Sequence, residues 1–411
     1  MGKSETKQKV CIKDRNQKLG FKECVEKYPE VPEPIILHID TTLRGVKFTE
    51  NVLERAKELN ACFGAVEETC PTILLKDGTP IAGGQRSASL NDGNNYTVDI
   101  VDDKITILDG NEPLAQGDFV STPEYYGKKT SNGTPMEKVS ESTEDALSFQ
   151  PYAYCHFWEN GNHCKYCSLP KDYRKIHGGL NQLNPQDCYE TVKEALKEQG
   201  RWQLIHLSSG SDFGGETPYD NEVNRYIEII TAIGKNFKST FPVRLVSSAF
   251  SEDQLNRLAE TGADIHYEPH IEVWDEKLFK WICPGKSKWF GRDYWINSAI
   301  KAVDVFGENH VCTQVVGGVE TAQPYGFKTN DDALKSTFEG AEYFARHGVT
   351  ISSTIWGVRK GSEFFREQQK RPNLEYYVRL TQGLHDIRKN YGIRLDWNEH
   401  HADTRLDRLD Y

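Results

Sequence analysis

Hydrophobic and polar residues follow two different patterns along the chain. Up to about residue 147, short alternating runs such as NYTVDIVDDKITILDG are separated by Asp-Gly and Gly-Gly pairs, which is typical of β-hairpins. Within this run, the DDK between VDIV and ITIL predicts a tight turn. The segment ENVLERAKELN has the spacing of a short amphipathic helix. Residues 1–147 are therefore predicted to form a small α+β domain with β-hairpins.

From residue 148 onwards, strand patterns alternate with helix patterns. One predicted helix has the capping pair Ser251 and Gln254, and others cover residues 294–306 and 331–347. About 250 residues of such alternation predict a parallel sheet closed into a partial or full (βα) TIM-type barrel over residues 148–411, an α/β fold. The predicted strands are FQPYAY, QLIHLSS, VRLVSS, DIHYEPHIEV, HVCTQVV, VTISSTIW and IRLDW.

The net charge and the hydropathy of the chain argue against nucleic acid and a membrane as partners. The formal net charge of −11 argues against nucleic acid, because the phosphate backbone favours clustered Lys and Arg. No run of about 18 apolar residues is present, so we expect no membrane span. The amino terminus MGKSETKQKV lacks the apolar region of a signal peptide, and a cytoplasmic protein is expected.

Three of the ten cysteines lie close together in CHFWENGNHCKYC. Cys155, Cys164 and Cys167 have spacings at which thiolates bind zinc or iron–sulfur clusters. No fourth cysteine at a similar spacing and no suitably spaced histidine pair follows, which favours a cluster with one open position. His156 and His163 inside the loop would also complete a zinc site, so this alternative stays open.

Polar or glycine-rich segments follow the other predicted strands as well. SSGSDFGGE follows the second strand, Ser247 and Ser248 the third, His270 and Glu272 the fourth, and VVGGVE the fifth. In (βα) barrels the loops at the carboxyl ends of the strands build the active site. These segments and the cysteine loop are therefore predicted to meet at one end of the barrel.

A three-cysteine loop after the first strand of such a barrel resembles the radical S-adenosylmethionine (radical SAM) superfamily. The resemblance implies that Cys155, Cys164 and Cys167 hold a [4Fe-4S] cluster whose fourth iron is chelated by SAM. It also implies that SAM is cleaved to a 5′-deoxyadenosyl radical, which abstracts hydrogen from substrate. The chain has the spacing C-x8-C-x2-C instead of the usual C-x3-C-x2-C, so no individual family is assigned.

The same resemblance implies a set of SAM contacts. They comprise the aromatic residue before the last cysteine, two competing glycine segments after the second strand (LSSGSD and GGE), an acidic residue after the fourth strand, and the glycine segment after the fifth. The fourth-strand region is similar to that of the biotin synthase group, and LSSGSD to the hydrogenase maturase and tyrosine lyase group. The residues are Tyr166, Ser209, Gly210, Ser211, Asp212, Gly214, Gly215, Glu216, Glu272, Val316, Gly317 and Glu320.

The resemblance implies an enzyme that acts on an enclosed small molecule and takes electrons from an external donor of the flavodoxin or ferredoxin type. The reaction would be of the lyase, rearrangement or cofactor-biosynthesis type. Two other functions stay open: a non-enzymatic binding protein stabilised by zinc or a cluster, and a metallocofactor maturation factor. A structural site would have no need of the glycine and acid segments at the strand ends, and an exposed apolar face on the amino-terminal domain would indicate a maturation factor.

Overall fold

The computed structural model describes six ranges of the chain. They are residues 19–63, 71–82, 96–143, 146–159, 161–169 and 182–393. The paired histidines His400 and His401, weighed as a second-metal site and considered to be solvated, lie outside the described residues.

Six short strands near the amino terminus form one mixed sheet in the order β1-β4-β5-β6-β2-β3. β1 and β4 are parallel and the other neighbours are antiparallel. The predicted tight turn joins β4 to β5, where Asp102 and Asp103 have φ of 49° and 61°, as type I′ hairpin turns require. The strands are Val46–Phe48, Thr72–Leu75, Pro80–Ala82, Tyr96–Val101, Lys104–Asp109 and Glu112–Phe119.

The remaining strands form a half-barrel. β7 to β11 make one sheet in sequence order, in which β8 to β11 are parallel, and β12 and β13 make a parallel pair. Single bridges from Tyr267 to Val311 and from Glu272 to Val315 join β11 to β12. Six parallel strands, β8 to β13, therefore form one curled sheet. This agrees with the predicted α/β barrel fold. The strands are Glu141–Thr143, Ala146–Phe149, Leu204–Ser208, Pro242–Ser247, Asp264–Pro269, Cys312–Gly317 and Thr350–Ile355.

The helices begin and end where the sequence provides caps. At a helix start, Ser251 accepts a hydrogen bond from the backbone N–H of Gln254, which forms the predicted capping box. At helix ends, Gly307 and Gly348 come shortly after the last residues of two later helices. The helices, α1 to α14, are Phe21–Lys27, Glu33–Arg44, Glu50–Glu58, Met136–Val139, His156–Glu159, Pro185–Ala195, Asp220–Gly234, Glu252–Ala259, Glu276–Ile282, Pro284–Trp289, Arg292–Phe306, Asn330–Ala345, Glu363–Arg366 and Leu374–Tyr391.

The structure corrects the first predicted strand. FQPYAY was predicted as a strand, but β8 ends at Phe149 and Pro151 lies in the loop that follows. Proline has no backbone N–H for a sheet ladder, which is the physical reason. Residues 394–397 of the predicted strand IRLDW lie outside the described residues. The division at residue 147 stays a prediction, and β8 spans that position.

The amino-terminal helices pack against the last barrel helix. Tyr28 Oη, just after α1, donates to Glu375 in α14 at 2.7 Å, and the Lys27 ammonium forms an ion pair with the same carboxylate. Arg371 donates to the carbonyl of Leu43 in α2. In the described part of the chain, no helix is both long enough and apolar enough to cross a membrane.

Candidate active site

The cysteine loop lies at the carboxyl end of β8 and is held by backbone hydrogen bonds to three helices, α9, α10 and α13. Lys165 N donates to the carbonyl of Ile282 at 2.9 Å, and Phe364 N donates to the carbonyl of Lys165 at 3.0 Å. Gly285 N donates to the carbonyl of Asn162 at 2.9 Å. All three thiols are partly buried, and α5 occupies the long insertion between the first two.

The three thiols do not converge as the ligands of a single ion would. Zn–S bonds of about 2.3 Å would bring thiolates within about 3.8 Å of one another. In the described part of the chain, the one group of three potential ligands whose donor atoms all lie within 4.8 Å of one another contains no cysteine. A [4Fe-4S] cluster distributes its ligands over separate iron atoms, so the donor set fits a cluster better than zinc.

The two loop histidines have other contacts. His163 stacks on Trp158 with ring centroids 3.8 Å apart and planes 6° apart, and His156 Nδ1 accepts a hydrogen bond from Phe213 N at 3.2 Å. Burial raises the pKa of Cys155 to about 11 and of Cys167 to about 12. His156 Nδ1 is therefore engaged away from the thiols, while His163 makes a ring contact and has no hydrogen bond to the described residues at either ring nitrogen.

The loop after β9 lies directly on the first cysteine. A Cβ on Gly210 would be 2.3 Å from Cys155 Cβ and 2.4 Å from the carbonyl oxygen of Tyr154, so only glycine fits there. The carbonyl of Ser211 accepts a hydrogen bond from His156 N at 2.9 Å. Asp212 accepts hydrogen bonds from Tyr154 Oη and from a backbone N–H of its own loop.

The two glycine segments after β9 differ in burial. Ser211 and Asp212 are buried at 8% and 5% exposure, whereas Gly215 and Glu216 are exposed. Ser209 Oγ accepts from Tyr152 N at 3.3 Å, which places it beside the start of the cysteine loop. LSSGSD therefore contacts the cysteine loop, and the end of GGE faces solvent.

A buried carboxylate joins the ends of β9 and β10. Glu222 in α7 has 0% exposure, and it accepts hydrogen bonds from Asp212 N and Ser248 N, both at 2.9 Å, and from Ser248 Oγ at 2.8 Å. Burial raises its pKa to about 7. Sequence reasoning missed this residue, since an acidic residue near a helix amino terminus is common on solvated surfaces.

Glu272, predicted to contact SAM, lies in the loop after β11 with a positive φ of 68°. Such a backbone conformation is uncommon for residues other than glycine and tends to occur at functional sites. Its carboxylate accepts from Lys286 Nζ at 2.7 Å, and Lys286 also donates to the carbonyl of His270 at 2.8 Å. The Lys286 ammonium lies 3.8 Å from the ring centre of Trp295.

The Glu272 and Lys286 pair lies next to Cys164, the middle of the three cysteines. A hydrogen bond from the Cys283 thiol lowers the pKa of Cys164, and the positive charge of Lys286 acts in the same direction. Tyr166 is also in this group, because it is hydrogen-bonded to Glu272 and burial raises its pKa well above the usual value. The segment WICPGK favours a packing role for Cys283 on sequence grounds, and the structure places its thiol in contact with a candidate cluster ligand.

The glycine segment after β12 completes this end of the barrel. Val316 N donates to the carbonyl of Glu272 at 2.9 Å, so the fourth and fifth strand ends meet. A Cβ on Gly317 would lie 2.5 Å from Leu380 Cδ2. Glu320 is buried and accepts a hydrogen bond from Tyr376 Oη. The structure thus joins Val316 to Glu272, while Gly317 and Glu320 contact α14.

The inner face of the half-barrel is polar. On the outer face, Tyr267 Oη lies 3.1 Å from Ser298 Oγ of α11, so strand alternation directs Glu268 inward. Arg244 donates to both oxygens of Glu268, at 2.9 and 2.8 Å, and His270 Nε2 lies 3.1 Å from the same carboxylate. Burial alone would raise the pKa of Glu268, but Arg244 and His270 hold it well below the ordinary value.

This polar face continues across the neighbouring strands. Ser148 Oγ and His206 Nδ1 are 3.2 Å apart, and Gln314 Nε2 donates to Ser352 Oγ at 3.2 Å. Burial lowers the pKa of His206 to about 3, so this imidazole is neutral at physiological pH. The interior therefore presents hydrogen-bonding groups directly below the cysteine loop.

A family model described as the radical SAM superfamily matches residues 160–318, from the cysteine loop to the glycine segment after β12. The chain therefore carries a radical SAM domain over these residues. Members of the superfamily use a [4Fe-4S] cluster and SAM, and this chain is accordingly a radical SAM enzyme. The predicted superfamily, enzyme class and cofactors are confirmed at this level.

This radical SAM enzyme is similar to one curated relative and, more weakly, to two solved structures. A bacteriochlorophyllide c C-7(1)-hydroxylase of Chlorobaculum limnaeum is 23% identical over 353 residues, which are 80% of this chain and 83% of the relative. The hydrogenase maturase HydG of Carboxydothermus hydrogenoformans has a TM-score of 0.41 at 16% identity, with 65% of this chain and 54% of that chain covered. A radical SAM methyltransferase from Sphaerobacter thermophilus has a TM-score of 0.41 at 13% identity, with 92% of both chains covered.

Proposed function

We propose that Cys155, Cys164 and Cys167 bind the cluster of this enzyme and that SAM lies against the surrounding strand ends. The observation that carries the proposal is the contact of the cysteine loop with the neighbouring strand ends, where Gly210 lies on Cys155 and where the Cys283 thiol and the Lys286 charge act on Cys164. When bound, the cluster and SAM supply a one-electron cleavage that yields a hydrogen-abstracting radical.

The residues of this chain would orient SAM and shield it from water. We assign LSSGSD, with Ser209, Gly210, Ser211 and Asp212, to the SAM amino group, because this segment contacts the cysteine loop. The competing segment, Gly214 to Glu216, ends in exposed residues.

The other strand ends would contact the rest of SAM. Tyr166 and Glu272 adjoin the middle thiol, so they are suited to the part of SAM nearest the cluster. Val316 and Gly317 would face the adenine, and Glu320 would support this segment through its contact with α14.

We further propose that the substrate is a small molecule that places a polar group inside the half-barrel. The paired Arg244 and Glu268 and the neutral His206 offer both donors and acceptors to such a ligand. A buried position also protects a radical from unintended hydrogen donors. Electrons would come from an external donor of the flavodoxin or ferredoxin type, and the oxygen sensitivity of the cluster is suited to a reducing cytoplasm.

The test is anaerobic reconstitution with iron and sulfide, followed by reduction and incubation with SAM. We expect about four irons per chain and release of 5′-deoxyadenosine. Replacing Cys155, Cys164 and Cys167 together by Ala should abolish both. Cys188→Ala is the matched control, since Cys188 is a buried thiol in α6 outside the cysteine loop. Stoichiometric zinc with intact SAM in the wild type would contradict the proposal.

Hydroxylation of a carbon substituent is the reaction type to test first. The relative that carries this activity in its name is similar over 80% of this chain. Bacteriochlorophyllide c is the first probe, and mass spectrometry should detect product gaining oxygen only in the presence of SAM and reductant. A reconstituted enzyme that cleaves SAM but leaves this probe unchanged would exclude this substrate and retain the cofactor assignment.

A further inference from the structure

A second group of potential metal ligands lies at the opposite end of the barrel strands. Asp264 and His266 stand at the amino end of β11, and His310 lies two residues before β12. Among the described residues, this is the one set of three His, Cys, Asp or Glu side chains whose ligand atoms all lie within 4.8 Å of one another. The active-site loops lie at the carboxyl ends of the same strands.

The ligand atoms lie at or slightly beyond the separations of neighbouring positions around a metal ion, and the two histidines approach different oxygens of Asp264. His310 Nε2 lies 2.9 Å from Asp264 Oδ1, and His266 Nε2 lies 3.5 Å from Asp264 Oδ2. Metal bonds of about 2.0–2.1 Å would place adjacent ligand atoms about 2.9–3.4 Å apart. The two imidazole rings stack with centroids 4.5 Å apart, so both rings approach the carboxylate from one side.

A hydrogen bond determines which ring nitrogen of His310 carries the proton. The other nitrogen, which faces the Asp264 carboxylate, then has a lone pair. His310 Nδ1 lies 3.1 Å from the carbonyl oxygen of Glu308, and a carbonyl can only accept, so the ring proton is on Nδ1. Nε2 of the neutral ring then has a lone pair directed at Asp264 Oδ1. Two acceptors at this distance require either a second proton or a cation between them. A backbone carbonyl that orients a metal-binding histidine in this way is a common arrangement.

We propose that Asp264, His266 and His310 bind one divalent transition-metal ion, with zinc as the ion that this donor set suits best. The site would stabilise the half-barrel where its sheet is weakest. β11 and β12 are joined by two single bridges, in contrast to the continuous ladders between the other parallel neighbours. The ligands come from both sides of this junction, and the partly exposed Asp264 and His310 leave room for water to complete the coordination.

The test measures zinc on the cluster-loaded enzyme, in which iron already occupies the cysteines. After anaerobic dialysis against zinc chloride and removal of excess metal, elemental analysis should give one zinc per chain with the cluster iron unchanged. His310→Gln and Asp264→Asn should each lose this zinc. His347→Gln should retain it, because His347 is an exposed histidine whose Nδ1 also contacts a backbone carbonyl.

A second measurement does not depend on how the variants fold. Zinc X-ray absorption of the wild type should show nitrogen and oxygen ligands at about 2.0–2.1 Å and no sulfur. Sulfur ligands, or zinc uptake accompanied by loss of iron, would place the zinc at the cysteines and overturn the proposal. Absence of zinc uptake would also overturn it, and would identify His310 and Asp264 as a protonated ion pair.

Discussion

At the scale of single residues, Gly210 controls how closely the β9 loop approaches the cysteine loop. Gly210→Ala would place a Cβ 2.3 Å from Cys155 Cβ, and overpacking of this kind costs about 1–3 kcal/mol. We expect the variant to lose most of its cluster iron while the rest of the fold persists. Iron analysis after reconstitution and far-UV circular dichroism measure the two effects.

The matched control for this prediction is Gly20→Ala. Gly20 has negative φ, and its added Cβ would lie 3.6 Å from its nearest neighbour, a side-chain oxygen of Glu23. Its cluster content should equal that of the wild type. If Gly210→Ala also binds iron normally, the close approach of the two loops is not required for the cluster.

Glu222 makes the stability of the enzyme depend on pH. Burial raises its pKa from 4.5 to about 7. Between these values the folded chain holds a proton that the unfolded chain releases, so the free energy of unfolding falls as pH rises through this window. At 1.36 kcal/mol per pH unit the change is about 3 kcal/mol. Anaerobic urea unfolding at pH 5 and pH 8 should show this fall in the wild type.

Glu222→Gln should remove this component of the pH dependence, since an amide does not titrate. Glu228→Gln on the same helix is the control, because Glu228 is exposed and ion-paired with Arg225. It should keep the wild-type difference between the two pH values. Equal pH dependence in Glu222→Gln and the wild type would show that another group is responsible.

At the scale of elements, Lys286 links α10 to the loop after β11 in the active site. Lys286 and Glu272 are 8% and 12% exposed, and Lys286 also donates to the carbonyl after β11. Lys286→Met would leave the Glu272 carboxylate without its cation, and removing one partner of a buried pair costs about 3–5 kcal/mol. We expect a lower free energy of unfolding and weaker SAM binding, measured by urea titration and equilibrium dialysis.

Lys288→Met tests whether any change in α10 has the same effect. Lys288 lies two residues further along the helix and is exposed. Its stability and SAM binding should match the wild type. Normal SAM binding by Lys286→Met would indicate that the Glu272 and Lys286 pair is structural and does not position SAM.

At the scale of the whole molecule, the amino-terminal helices depend on α14 for part of their stability. Glu375→Ala removes the acceptor for Tyr28 and Lys27, which is worth about 1 kcal/mol. Hydrogen exchange over residues 21–44 should accelerate about fivefold, with SAM cleavage unchanged. Glu342→Ala, at an exposed ion pair with Arg346, should leave this exchange unchanged. Equal exchange in both variants would mean that the contact with α14 does not hold these helices.

Local features of the fold were predictable because they depend on neighbouring residues. The hairpin turn at Asp102 and Asp103 and the capping box of Ser251 with Gln254 are set by groups a few residues apart. The first barrel strand was placed wrongly, since FQPYAY has a strand-like composition and only the ladder with β9 shows that pairing ends at Phe149.

The sequence alone determined the alternation of strands and helices, the cysteine loop and the family to which it points, because periodicity and ligand spacing are local properties. The tertiary structure decided which glycine segment lies on Cys155, how Glu222 joins two strand ends, and that Lys286 pairs with Glu272. It also brought His310 to Asp264, 46 positions away. Such contacts are fixed by the curvature and register of a sheet, which no short stretch of sequence contains.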